Sequence, residues 1–181
     1  MTVLVTVLRG INVPGRTQIR MEALRQSCAA LGLTDVHTYL QSGNVIFRAV
    51  QDDAHHVAGA LKGRIAADFG HDVEVLVLTA RELARIAASN PLWSSLEGED
   101  RLFHATFLLQ PIPEADFRAL ELPIQGEEQA VLIGQVVMLY CPHGYGKTKL
   151  SNAYFEKALG VPATTRNWRT VLALRALAAE I

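Results

Sequence analysis

Val3-Leu-Val-Thr-Val-Leu8 is the stretch on which the predicted fold depends, because it is continuously apolar and rich in β-branched residues. Such a run is typical of a strand buried on both faces, so we predict that it forms the centre of a sheet. It ends at Arg9-Gly-Ile-Asn-Val-Pro-Gly15, whose glycines and proline indicate a loop.

The segments after this loop alternate between helical and strand patterns. We predict a first helix whose apolar face is formed by Met21, Leu24, Cys28 and Leu31, with Thr17 as its cap and Gly32 at its end. Two strands follow, over 36–40 and 44–48. A second helix, from Asp52 or Asp53 to Gly70, precedes a strand over 73–78. The resulting order, β-α-β-β-α-β, is the ferredoxin-like or split β-α-β pattern. The sequence therefore predicts a ferredoxin-like half over residues 1–90.

The remaining chain partly repeats this order. A capping box, Thr79-Ala-Arg-Glu82, predicts a helix to Ser89, and residues 91–101 form the best candidate for a linker. We then predict a strand over 102–109, a helix over 113–120, a hairpin of 129–133 and 136–140 with a type II′ turn, and a helix over 151–159. Residues 102–181 are thus predicted to be a second ferredoxin-like half that lacks its last strand, followed by a terminal helix from about Asn167. The fold class is α+β.

Charge is distributed unevenly, although 17 Lys and Arg nearly balance 18 Asp and Glu. Four arginines oppose one glutamate in residues 1–25, and five basic residues oppose one glutamate in 143–170, whereas 52–100 holds nine acids against four bases. The balance gives no global attraction to nucleic acid or membranes. We expect the two basic segments to meet around one ligand.

The stretch Cys141-Pro-His-Gly-Tyr-Gly-Lys-Thr-Lys-Leu-Ser-Asn152 joins a strand to a helix, and such a junction suits an anion. Lys147 and Lys149 add positive charge, and Ser151 is the expected N-cap. A Walker loop would need a glycine where Cys141 stands, so nucleoside triphosphatase activity is disfavoured. The alternative is that both lysines are solvated surface groups.

Other polar residues stand at predicted strand and helix ends. The candidate ligand-binding residues are Arg9, Asn12, Gln41, Ser42, Asn44, His143, Lys147, Lys149, Ser151, Asn152, Arg166, Asn167 and Arg169. Each group has a structural alternative: turn chemistry for 41–44, loop closure for Asn12, ion pairing with the acidic middle for Arg166 and Arg169, and a core position for Trp168.

Three of these blocks together resemble one family. Leu8-Arg-Gly-Ile-Asn-Val13, Thr38-Tyr-Leu-Gln-Ser-Gly-Asn-Val45 and the segments 144–152 and 163–171 are similar to the bacterial domain of unknown function 1697 family. The resemblance implies two ferredoxin-like parts and no established activity. It therefore assigns no catalytic residue.

No catalytic set is evident from the residues. His143 is placed to act as a general base but has no acid or nucleophile near it in sequence, and His55-His56 diverge on a helix and predict no metal site. We expect no cofactor, no disulfide and no membrane span, and a cytoplasmic location.

The leading hypothesis is a protein that binds a small phosphorylated or carboxylated ligand in a cleft between its halves, whether or not it is an enzyme. The alternatives are single-stranded nucleic-acid binding on a sheet bearing Tyr39, Phe47, Phe103, Phe107 and Tyr140, or a dimerisation or scaffold module.

Overall fold

The computed structural model describes residues 1–50, 53–96 and 98–181. It is an α+β structure with two four-stranded antiparallel sheets. The chain divides into two compact units, the first formed by Met1–Ala84 with Ala173–Ile181 and the second by Arg85–Leu172. The predicted linker, 91–101, stays a prediction; its described residues include a short helix and the start of a 3-10 turn.

The first unit contains β1 (Thr2–Leu8), α1 (Met21–Ala30), β2 (Thr34–Tyr39), β3 (Asn44–Ala49), α2 (Ala54–Phe69) and β4 (Val75–Thr79). The strand order is β2-β3-β1-β4, with β1 central as the apolar run predicts. Alternate residues of β1, Leu4 and Leu8, are buried in one core cluster with Leu24 of α1 and Leu61 of α2. Burying these side chains supplies the main stabilisation of such a unit, about 1.5–3 kcal/mol for each.

The helix ends show which local predictions hold. Asp53 caps α2 by accepting from the backbone N–H groups of His55 and His56, while Asp52 lies outside the described residues. The prediction that Thr17 caps α1 is wrong: the N-cap is Arg20, without a side-chain bond. The cause is the preceding loop, because the carbonyl of Thr17 accepts from the backbone N–H of Asn12 at 2.7 Å.

The second unit repeats the order of elements. It begins within α3 (Ala80–Ala88) and contains α4 (Pro91–Ser95), β5 (Phe103–Leu108), α5 (Glu114–Arg118), β6 (Gln129–Ile133), β7 (Val136–Tyr140), α6 (Asn152–Leu159) and β8 (Ala163–Asn167). The last helix, α7 (Trp168–Glu180), begins in the second unit, and its residues from Ala173 onward belong to the first. The strand order is β6-β7-β5-β8. The prediction that the last strand is missing is therefore wrong, because β8 pairs antiparallel with β5.

Local capping organises the start of α3 as predicted. The backbone N–H of Thr79 donates to the carboxylate of Glu82 at 2.7 Å, and the backbone N–H of Glu82 donates to the Thr79 hydroxyl at 3.1 Å. This reciprocal pair satisfies two backbone donors. Among the described residues, no helix is long and apolar enough to cross a membrane.

Candidate functional site

The loop after β1 is closed by one side chain, that of Asn12. Its amide nitrogen donates to the carbonyls of Ile19 at 2.8 Å and Gln41 at 2.7 Å, and its amide oxygen accepts from the backbone N–H of Ile19 at 2.8 Å. Asn12 also has a positive φ of 54°, which asparagine tolerates better than most residues. Both amide protons are thus used within the protein, and Asn12 holds the loop to the turn before β3.

We expect Asn12→Ala to lower the free energy of unfolding by about 1–3 kcal/mol, because two carbonyls and one backbone N–H lose their partner. Urea unfolding at neutral pH measures this loss. Gln18→Ala is the matched control in the same loop, since its amide makes only long contacts, at 3.4 and 3.5 Å. Equal stability of Asn12→Ala and the wild type would contradict this structural role.

The predicted cluster Gln41, Ser42 and Asn44 forms a packed turn. The side chain of Asn44 is fully buried and donates to the carbonyl of Tyr39 and the hydroxyl of Ser42, both at 2.9 Å. Gln41 is exposed and contributes its carbonyl to Asn12. The contacts of this turn are those of the turn-chemistry alternative.

An open cavity of about 800 Å³ lies beside this loop in the first unit. We call it the Arg16 groove; its lining is Arg9, Gly10, Gly15, Arg16, Thr17, Gln18, His71, Asp72 and Val73. The Arg16 side chain lies against Gly10: a Cβ added to Gly10 would be 3.4 Å from Arg16 Nη1. Asp72, the acidic residue of the lining, pairs with Lys62 at 3.2 Å. The groove therefore offers cationic groups, with its carboxylate already paired.

Two features of the groove remain available for a ligand. Within residues 1–50, 53–96 and 98–181, the guanidinium of Arg16 has no ion pair or hydrogen bond. The backbone N–H groups of Gly10, Gly15 and Thr17 likewise have no acceptor in the part of the chain that is described. Thr17, Gln18 and His71, none of which the sequence indicated as site residues, supply further polar groups to the lining.

In the second unit, Ser151 caps α6 as predicted. Its hydroxyl accepts from the backbone N–H of Tyr154 at 3.2 Å. The backbone N–H of Asn152 donates to the hydroxyl of Tyr145 at 2.9 Å, so protein groups already occupy two donors at this helix start. Lys147 and Lys149 are exposed, as is His143. This loop and the Arg16 groove belong to different units, and their shared site stays a prediction.

Ser151→Ala should lower the free energy of unfolding by ~1 kcal/mol, because the orphan N–H of Tyr154 loses its acceptor. Lys149→Ala, two residues earlier, should stay within roughly 0.5 kcal/mol of the wild type, as exposed substitutions usually do. Thermal unfolding of both variants checks the difference. A Ser151→Ala variant as stable as Lys149→Ala would contradict the capping geometry.

Asn152 and Asn167 both serve a polar network on one side of the second sheet. Asn152 Nδ2 donates to the carbonyl of Ala163 at 2.9 Å, and its Oδ1 accepts from the Thr165 hydroxyl at 3.1 Å. Thr165 also bonds Thr106 at 2.8 Å. These hydrogen bonds join β5, β8 and α6.

His104, which the sequence did not single out, is the titratable centre of this network. Its ring stacks on Tyr145 with centroids 4.7 Å apart, and Asn167 Nδ2 lies 3.2 Å from its Nε2. Asn167 Oδ1 accepts from the backbone N–H of Arg169, which fixes Nδ2 as the donor towards His104. Burial lowers the pKa of His104 to about 4, against the opposing effect of the Leu102 backbone. The ring is neutral at pH 7.

The arginines near the chain end are engaged with protein groups. Arg166 is buried and donates to the Thr164 hydroxyl at 2.8 Å and the Thr165 carbonyl at 3.0 Å, and burial lowers its pKa to about 10. Arg169 pairs with Asp100 at 2.8 Å, an ion pair with the acidic middle of the chain. Trp168 is fully buried. The ion pair of Arg169 and the core position of Trp168 agree with their structural alternatives, whereas Arg166 donates to a hydroxyl and a carbonyl of its own strand.

The described residues contain no group of three potential metal ligands among His, Cys, Asp and Glu. Burial raises the pKa of Cys28 to about 12 and that of Cys141 to about 11, so both thiols are protonated at neutral pH. A protonated thiol is a poor nucleophile. Neither cysteine is therefore a reactive group.

The aromatic residues of the strands do not present a stacking surface. Phe47, Phe103 and Phe107 are at most 2% exposed, and only Tyr39 and Tyr140 of that set are partly exposed. Base stacking on a sheet requires accessible rings on neighbouring strands. The three buried phenylalanines cannot serve that purpose.

Fold and site together define an α+β protein with two four-stranded antiparallel sheets and a cationic groove beside the loop after β1. The chain belongs to a family of proteins of unknown function, DUF1697, whose sequence model matches residues 1–138. The first two sequence blocks lie within that match, and the segments after residue 143 lie beyond it. A comparison with curated proteins gives no match.

The fold also occurs in a solved structure, described as that of the conserved bacterial protein SP0830 from Streptococcus pneumoniae. The two chains are 24% identical, the similarity covers 98% of each, and the TM-score is 0.75. At this identity the comparison shows a common fold alone.

Proposed function

We propose that this protein binds a small phosphorylated or carboxylated anion in the Arg16 groove. The observation that carries the proposal is the position of Arg16, whose guanidinium folds over Gly10 at the groove without an ion pair to another described residue. An arginine fork binds carboxylate or phosphate through two parallel hydrogen bonds. A loop held in place by Asn12 is a suitable support, because its geometry is set before the ligand arrives.

The order of the strands supports a second part of this proposal, that each unit has a ferredoxin-like fold. Each sheet has its first and third strands in the centre and its second and fourth at the edges, in the order β2-β3-β1-β4 and β6-β7-β5-β8. Each unit would then be a ferredoxin-like half, and the Arg16 groove would lie on a loop at the end of a central strand. Loops on a rigid scaffold commonly carry binding groups.

A thermal-shift titration with sugar phosphates, nucleotides and carboxylates tests the binding proposal. A ligand at ten times its dissociation constant should stabilise the protein by about 1.4 kcal/mol. Arg16→Ala should abolish the shift, whereas Arg20→Ala, which removes an exposed arginine outside the groove, should retain it. The proposal fails if no anion stabilises the protein beyond chloride at equal ionic strength, or if Arg16→Ala responds as the wild type does.

A further inference from the structure

We infer that the Arg16 groove selects a phosphate monoester over a carboxylate or a phosphodiester. This inference rests on the proposed function and names the ligand class of the same site. Its basis is the excess of hydrogen-bond donors in the lining, where a guanidinium, a hydroxyl and several backbone N–H groups come together beside one paired carboxylate.

The donors belong to two kinds of group that phosphate recognition commonly combines. Arg16 supplies a planar fork, and Gly10 and Gly15, with φ of 65° and 73°, supply N–H groups without an acceptor in the described ranges. No atom lies within 4 Å of a Cβ built on Gly15, so a ligand can approach its backbone closely. Thr17 adds a hydroxyl and a further N–H to the same lining.

Charge and acceptor number favour the monoester. A terminal phosphate carries about −1.5 to −2 charges at pH 7 and three strong acceptor oxygens. A carboxylate carries one charge and two coplanar oxygens, and a phosphodiester carries one charge and two unesterified oxygens. The monoester offers the most acceptor oxygens to the Arg16 fork and the backbone donors together, and its greater charge strengthens each hydrogen bond.

Three small probes separate these ligand classes by calorimetric titration at pH 7.5: methyl phosphate, dimethyl phosphate and acetate. We expect methyl phosphate to bind at least about tenfold more tightly than the other two, a difference of about 1.4 kcal/mol. Arg16→Lys, which keeps the charge but loses the fork, should weaken the binding of methyl phosphate. Arg20→Ala should leave all three affinities unchanged.

The possible failures are distinguishable. Acetate binding as tightly as methyl phosphate, with both lost in Arg16→Ala, would overturn the phosphate inference and leave the anion site standing. Dimethyl phosphate binding as tightly as the monoester would also overturn it and would favour a nucleic-acid backbone as the ligand. Absence of binding by all three probes at millimolar concentration would overturn both the inference and the proposed function.

Discussion

Gly43→Ala is expected to lower the free energy of unfolding by about 2–5 kcal/mol. Gly43 has a φ of 79°, and a Cβ at this position would lie 2.7 Å from Leu8 Cβ and 2.8 Å from Ile11 Cδ1. A left-handed conformation costs a residue with a side chain about 1–2 kcal/mol, and overpacking a core typically adds 1–3 kcal/mol. Both neighbours are buried, so neither can move away without disturbing the core.

Gly32→Ala is the matched control for this substitution. Gly32 lies in the same unit with a φ of 76°, but nothing lies within 4 Å of its added Cβ. Gly32→Ala should therefore lower the free energy of unfolding only by the cost of the left-handed backbone conformation, about 1–2 kcal/mol. Chemical unfolding followed by circular dichroism measures both variants. Equal losses would show that the turn of residues 41–44 does not pack against the end of β1 as described.

Acidification from pH 7 to pH 5 should cost about 2 kcal/mol of unfolding free energy through His104 alone. Burial holds the pKa of His104 at about 4, below its ordinary value of 6.5. The unfolded chain therefore binds a proton that the native protein does not. The contribution of His104 to stability is complete above pH 6.5 and is lost as the pH falls from 6.5 towards 4.

His104→Gln should remove this pH dependence, because glutamine does not titrate. Its stability at pH 7 is expected to be lower than that of the wild type, so the informative quantity is the change between pH 7 and pH 5. His143→Gln, which alters an exposed histidine of the same unit, should keep the change seen in the wild type. Urea unfolding at pH 7, 6 and 5 provides the comparison. If His104→Gln keeps the pH dependence of the wild type, the loss of stability on acidification does not arise from His104.

Two aspartates with lowered pKa values titrate below the window of pH 5 to 7. The backbone N–H groups of His56 and His55 lower the pKa of Asp53, and Arg64 followed by Ser27 lowers that of Asp68. Both carboxylates therefore titrate at lower pH than an ordinary aspartate. Any stability that they contribute is lost only on further acidification.

Local sequence signals predicted the elements that depend on local chemistry. The run from Val3 to Leu8, the capping box at Thr79 and the cap at Ser151 were identifiable because each requires residues only a few positions apart. The strand β8 was missed because Ala163-Thr-Thr-Arg-Asn167 has no apolar run, and its conformation depends on pairing with β5 about 60 residues away. Tertiary pairing overrode a weak local pattern here.

The candidate site was harder to predict for the same reason. Asn12 and Asn44 are polar residues in turns, and only the folded chain shows that their amide protons are given to backbone carbonyls and a neighbouring hydroxyl. His104 stands in a strand without a motif, and its lowered pKa arises from burial. Arg16 joins His71 in one groove although 55 positions separate them in the sequence.

The most direct test of the central claim is a titration of the ¹⁵N-labelled protein with methyl phosphate, followed by backbone amide chemical shifts. We expect saturable changes at Gly10, Gly15, Thr17, Gln18 and His71, with the same resonances unmoved in Arg16→Ala. Changes confined to residues 147–152, or none beyond those caused by chloride at equal ionic strength, would contradict an anion site in the Arg16 groove.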